Sequence, residues 1–400
     1  MVHVAERLAS LFDASGDAAR AADYHELAAA KAATPAAYRG ALTHVERALA
    51  ALARLPATPA RRNREMNREF DRSSIYGTLH SFADPDYGRI LTRAAGIAEE
   101  LADDLGIFRG RLGTALWKLC AGDVDEAVRV CEAMLSTART EHPEFLAGSC
   151  VFGAWVFSSR GDYGRCLALS EEGLAALDGA LEGIPLRVHK RTHLLRTVAA
   201  AHFGTGAVET GREARNRCLE SLAESRVPAD LSTIPALLAV DSAFVGDRQS
   251  TGALAEQALA GHAECPNAAN ERLARALQAW TRCDGDTGDV ERLAAAVDAP
   301  GGLAMWNYKP FALALLADEW LRVGEPHRCL DVVGRAFELP RFPAFDSELW
   351  RVRGQALATL AQGTNDAAMV ADGKEALRQA HSLAASFGQR HVEARIDAIR

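Results

Sequence analysis

The string HKRTH at 189–193 puts His189 and His193 four residues apart, on one face of a helix, with His202 further along. Two imidazoles at that spacing can chelate a metal ion. In the helical zinc-hydrolase pattern a glutamate follows the first histidine; here Lys190 follows it, and a cation beside the ligands repels a metal. The expectation is a solvated basic helix face and no metal. Carboxylates cluster at Glu99 and Glu100, Asp103 and Asp104, and Glu171 and Glu172. Each cluster lies at helical spacing among alanines and leucines and reads as helix surface. Gly373-Lys374 in ADGKEA lacks the phosphate loop's flanking residues: Glu375 stands where Ser or Thr is needed, and Ala368 replaces the first glycine. No Gly-x-Ser-x-Gly elbow occurs. The eight cysteines, Cys120, Cys131, Cys150, Cys166, Cys218, Cys265, Cys283 and Cys329, form no C-x-x-C pair and read as buried small hydrophobes. These residues call for no cofactor, and the chain reads as a non-enzyme.

What positions these side chains is a repeat. LCAGDVDEAVRV (119–130) sets a Gly-Asp pair between two apolar-periodic runs, and candidate turn glycines recur at Gly122, Gly161, Gly204, Gly246, Gly285, Gly324 and Gly363. Their spacing of 39–43 residues marks an array of supersecondary units. An acid follows five of them: Asp123, Asp162, Asp247, Asp286 and Glu325. Glycine accepts the left-handed conformation that closes one helix, and the acid caps the next. Seven residues before the glycines stand Ala115, Ala154, Thr197, Ala239, Gln278, Ala317 and Ala356; five after stand Ala127, Cys166, Glu209, Thr251, Val290, Cys329 and Ala368. Small side chains at both points let two helices cross closely. The first hundred residues follow the plan loosely. They carry a Gly-Asp turn at Gly16, a helix from near Pro35 to Pro56, and a pair at 62–81 and 86–105.

The totals agree. With 48% hydrophobic residues and 6% aromatics, the alanine-rich chain of 400 residues favours helix over strand. A net charge of −8 argues against nucleic acid or an anionic membrane as partner. No run of 18 apolar residues occurs. The N-terminal MVHVAERLASLFDASGD reads as an amphipathic helix rather than a signal peptide, and the scatter of the cysteines suits a reducing cytoplasm, the expected location. The expected fold is all-α: a right-handed tetratricopeptide-like superhelix of about nine antiparallel hairpins, with irregular hairpins over 1–106 and a regular array over 107–400 in one continuous solenoid.

GDVDEAVRVCEAML (122–135) and GDYGRCLALSEEGL (161–174) resemble tetratricopeptide repeats, with a period longer than the usual 34. The chain is similar to the C-terminal helical region of bacterial signalling ATPases, the LuxR and AfsR types of regulator and cyclase-linked predicted ATPases. The resemblance implies a sensor or partner-binding part of a transcriptional or signalling regulator, with an ATPase module in the same or another chain.

In tetratricopeptide arrays the first helix of each hairpin lines the concave groove. Counting back from the turns nominates Arg109, Trp155, Arg191, His202, Arg275, Arg282, Arg322, Trp350 and Arg353. Six of the nine are arginines, whose forks bind carboxylates and phosphates, so the expected partner is a protein or peptide, acidic in character, or a small anionic ligand. The alternatives are arginines paired with neighbouring glutamates, a self-assembling adaptor, or an enzyme with a groove pocket. Trp117, Trp280 and Trp320 read as packing between hairpins, and Trp306 with Tyr308 as a contact point. RRNREMNREFDR (61–72) reads as a solvated helix.

Overall fold

Alternating apolar stripes and Gly-Asp turns give helices and nothing else. The computed structural model describes residues 2–32, 38–179, 188–265, 267–299, 308–364 and 366–399, and no strand occurs among them. Five helices come first: α1 Val2–Ser15, α2 Ala18–Ala32, α3 Tyr38–Ala53, α4 Pro59–Leu79 and α5 Pro85–Leu101. Seven hairpins follow: α6 Asp104–Cys120 with α7 Val124–Thr140, α8 Leu146–Arg160 with α9 Tyr163–Asp178, α10 Lys190–Gly204 with α11 Val208–Glu224, α12 Asp230–Phe244 with α13 Arg248–Glu264, α14 Ala268–Thr281 with α15 Thr287–Val297, α16 Lys309–Arg322 with α17 Pro326–Phe337, and α18 Asp346–Thr364 with α19 Ala367–Phe387. A last short helix is α20, Arg390–Asp397.

The turns form as the glycines require, with one shift. Gly16, Gly122, Gly161, Gly246, Gly285 and Gly324 have positive φ. Gly204 does not turn the chain. It ends α10 inside the helix, packed under the Tyr163 ring, and Gly206 takes the left-handed position at φ 77°. Counting from Gly206 repairs both columns: Ala199 and Gly211, both buried, replace Thr197 and Glu209 at the helix crossing. Gly363 lies within α18, and the next helix is capped beyond it by Asp366. Asp123, Asp162, Asp247 and Asp286 accept a backbone N–H from the helix each begins. Glu325 makes no such bond; its carboxylate sits one methylene further out, and Pro326 starts α17 instead.

One apolar core runs from Phe108 to Ile396, while three smaller clusters hold the N-terminal helices together. All eight cysteines are free and buried. Trp280 and Trp320 are buried between helices, each with an arginine over its ring, Arg248 and Arg328 respectively. The second helices are stapled across the outer face. Arg139 on α7 grips Glu172 on α9 at 2.8 and 2.6 Å, and Arg165 on α9 returns to Glu132 on α7 at 2.7 Å.

The RRNREMNREFDR stretch departs from its reading as a solvated helix. Glu65 and Glu69 on α4 are buried, because arginines on three sides compensate them. Arg62 and Arg72 come from α4 itself, and Arg93 of α5 reaches both, at 2.7 and 3.0 Å. Arg64 meanwhile holds α2 through Asp23 and Glu26. A strongly polar helix thus becomes central by pairing its charges across helices.

Candidate binding site on the inner face of the array

The first helices of successive hairpins, α8, α10, α12, α14, α16 and α18, pack in a row. The row curves until distant parts of the chain meet. Phe244 at the end of α12 lies 6.0 Å from Phe311 of α16 and 5.2 Å from Phe345, in the turn before α18. Phe311 and Phe345 stack at 4.6 Å, and Tyr308 stands edge-on to Phe342 at 5.1 Å. Tyr308 is therefore a buried member of this aromatic hub rather than an exposed contact point, because the curvature brings the start of α16 inward. Trp306 lies outside the described residues.

Beside the hub, Arg196 of α10 and Asp241 of α12 form a buried ion pair at 3.1 Å. Burial lifts the Asp241 carboxyl to about 6, with Arg196 pulling the other way. Burial also works against the charge on Arg196, yet Asp241 and the Tyr308 hydroxyl hold its guanidinium above the ordinary range. Asp241 Oδ2 and Arg196 Nε have no hydrogen-bond partner. They line a void of about 20 Å³, shared with Ser158, Ser159, Tyr163 and Tyr308. That is room for one ordered water, not for a drug-sized ligand. A neighbouring cleft is lined by Asp318, Glu348, Arg351 and Arg395. There Arg351 bridges Asp318 at 2.7 Å, Glu348 at 2.9 Å and Gln355 at 2.9 Å.

The chain itself covers this face. Gln389, which precedes α20, donates to the Ala344 carbonyl at 2.7 Å and to the Tyr163 hydroxyl at 3.4 Å, and its carbonyl accepts from Ser347. Arg395 donates to the Phe244 carbonyl at 3.1 Å and pairs with Glu348 at 2.6 Å. The His391 ring meets Phe244 edge-on at 4.7 Å. Val392 and Ile396 are fully buried.

The nominated groove residues are placed as follows. Arg109 bonds Asn67 at 3.0 Å and lies over the Phe70 ring of α4. Arg191 pairs with Asp178, Arg275 with Glu271 on its own helix, and Arg322 with Glu319. Trp155 and His202 are half-buried, Trp155 against Phe152. Arg282 is exposed. Trp350 packs on Phe337, and Arg353 lies over Trp350 at 5.8 Å; these two are brought together. For Arg282 and Arg353 no ion pair is found among the described residues. The polar residues that do face inward, Arg196, Asp241, Asp318, Glu348 and Arg351, were not singled out in the sequence.

The HKRTH pair also departs from expectation. Both histidines converge on Asp230 of α12: His193 Nε2 lies 3.0 Å from Oδ1, and the backbone N–H of His189 donates to Oδ2 at 2.9 Å. His189 Nδ1 is turned to Thr192 at 2.6 Å. This face is a half-buried seam between hairpins, not a solvated surface. Among the described residues no group of three or more His, Cys, Asp or Glu side chains is arranged to hold a metal ion, and no helix is long and apolar enough to cross a membrane.

The fold and this inner face define a tetratricopeptide-like α-solenoid. A solved structure described as a Rap protein complexed with Competence and Sporulation Factor matches with a TM-score of 0.58 at 12% identity, over 96% of this chain and 100% of that one. Yeast Tom70 matches with a TM-score of 0.37 at 11% identity, over 99% of this chain and 88% of that one. No protein-family model matches the sequence, and no curated protein matches it.

Proposed function

We propose that this chain is a non-catalytic scaffold that receives a protein or peptide partner on the inner face of the array, as the sensor or interaction part of a bacterial transcriptional or signalling regulator in the cytoplasm. The observation that carries the reading is the covered inner face. Within the row, the end of α12 and the start of α18 hold an amphipathic segment from the same chain by named side-chain contacts, through Gln389, Arg395 and two buried aliphatics. A surface that grips one short helix by side chain and carbonyl is suited to gripping another. The fold it shares with the Rap structure, solved with Competence and Sporulation Factor, supports the same direction. The Gly-Asp hairpins that resemble regulator repeats support the regulatory setting and an associated ATPase module. Residues 1–106 and 107–400 form the two parts of the proposed scaffold; the core running from Phe108 to Ile396 supports that division.

Of the nine groove candidates, Arg282 is the exposed arginine left to meet an acidic group on a partner, since Arg191, Arg275 and Arg322 already have carboxylates and Arg353 lies over Trp350. The test is site-specific photo-crosslinking in the native cytoplasm. A crosslinker at Trp155 or His202 should capture one discrete partner, while crosslinkers on the outer helices at Arg129 or Glu256 should not. Equal capture from both faces, or none from the inner one, overturns the reading.

A further inference from the structure

We infer that α20 is an exchangeable occupant of the inner face, and that the partner it gives way to is a short amphipathic helix presenting an amide, an aliphatic residue, an arginine and a second aliphatic residue, in that order. The inference rests on the inner-face reading proposed above and names the chemistry of its partner.

Two properties make α20 separable. It is eight residues long, too short to be helical by itself in water, so its order depends on its seat. It is joined to α19 through Gly388, which caps that helix in the left-handed conformation at φ 67° and lets the chain direction change there. The docking is also incomplete. Both ring nitrogens of His391 are closed off from solvent and have no hydrogen-bond partner, which costs free energy that undocking recovers. Segments with few buried apolar contacts and unsatisfied polar groups open first.

The seat is nonetheless specific. Arg395 is read twice, by the Glu348 carboxylate and by the free carbonyl of Phe244 at the end of α12. Gln389 is read three times, by Ala344, Ser347 and Tyr163. Beside them, Val392 and Ile396 lie one turn apart and are fully buried. An incoming helix needs the same spacing, Gln-x-x-aliphatic-x-x-Arg-aliphatic. An acidic residue at the arginine position would face Glu348 and be rejected.

The probe is a fluorescein-labelled synthetic peptide with the sequence of residues 388–400, titrated into the full-length protein by anisotropy. The wild-type chain should bind it weakly, because its own α20 competes. The full-length Arg395→Glu chain should bind it at least tenfold tighter, and should not bind a peptide carrying the same Arg395→Glu change. If Arg395→Glu fails to fold by circular dichroism, the Gln389→Ala chain takes its place. A folded variant chain that binds no peptide overturns the proposal. So does a concentration-dependent dimer that the peptide dissociates, since the occupant is then α20 of a second copy. Exchange without any inner-face crosslink removes the function proposed above and leaves the exchangeable seat; crosslinks without exchange do the reverse.

Discussion

Arg196 on α10 and Asp241 on α12 neutralise each other at 3.1 Å inside the array, 45 residues apart in sequence. Arg196→Met would leave a carboxylate buried without its partner and should cost about 3–5 kcal/mol. The double variant Arg196→Met, Asp241→Leu should recover most of that loss, because it removes both desolvated charges. Urea unfolding of the three proteins measures it; equal losses in the single and double variants would show that the pair is not coupled.

The same carboxylate predicts a pH dependence. Its folded value of about 6 lies above the ordinary 3.8, so the folded state holds the proton more tightly than the unfolded chain. Its contribution is therefore full below pH 3.8 and is lost as pH rises towards 6. The stability of the wild type relative to Asp241→Asn should fall across that window and then level off. Paired urea midpoints at steps between these values read the difference.

His391 predicts the opposite slope for α20. Burial, with a smaller push from Arg395 and against the pull of Glu348, lowers its pKa from 6.5 to about 4. The other elements against it, the Phe244 ring and the Gly206 turn, bring no charge. The released helix takes up the proton more readily, so docking is full above pH 6.5 and weakens as pH falls towards 4. Hydrogen exchange in α20 should accelerate over that range relative to α10 and α12. In His391→Phe the acceleration should disappear.

Two turn glycines separate backbone strain from crowding. Gly246 has φ 80° and open space where a Cβ would stand, so Gly246→Ala should cost about 1–2 kcal/mol from the left-handed conformation alone. A Cβ at Gly206, φ 77°, would lie 3.1 Å from the His391 backbone nitrogen. Gly206→Ala should therefore cost more than Gly246→Ala, and it should also loosen α20 to added protease. Equal melting temperatures for the two variants would contradict this.

The histidines of HKRTH give a negative prediction. His193 is already committed to Asp230, and that aspartate also accepts the His189 backbone N–H. Adding zinc or a chelator should leave the melting temperature unchanged, whereas Asp230→Ala should lower it by removing a partner shared by both.

The turns were legible in the sequence because a left-handed residue after a helix admits little besides glycine. Gly204 misled because Gly206 follows two residues later, and glycine also serves where another ring needs the space of a Cβ, as Tyr163 does here. The inner face was harder to read. Arg191 was nominated where Arg196 faces inward, and five residues turn a helix by roughly 140° beyond a full circle. Arg353 stands two residues from the inward Arg351, roughly 160° away around the axis. Counting from the turns names a helix for each residue, but the rotation of that helix depends on its neighbours. Nothing local in the chain marks the meeting of Tyr163 with Gln389, because that contact depends on how tightly the whole row bends.

That contact also sets an order of events during synthesis. Tyr163 leaves the ribosome 226 residues ahead of Gln389, at a translation rate of about 5–20 residues per second. For roughly ten seconds or more, each newborn chain carries Tyr163 and the hairpins around it without the C-terminal helices that close the bend. Ala344 and Ser347, which hold the same glutamine, precede it by only 45 and 42 residues, so the seat is completed almost together with its occupant.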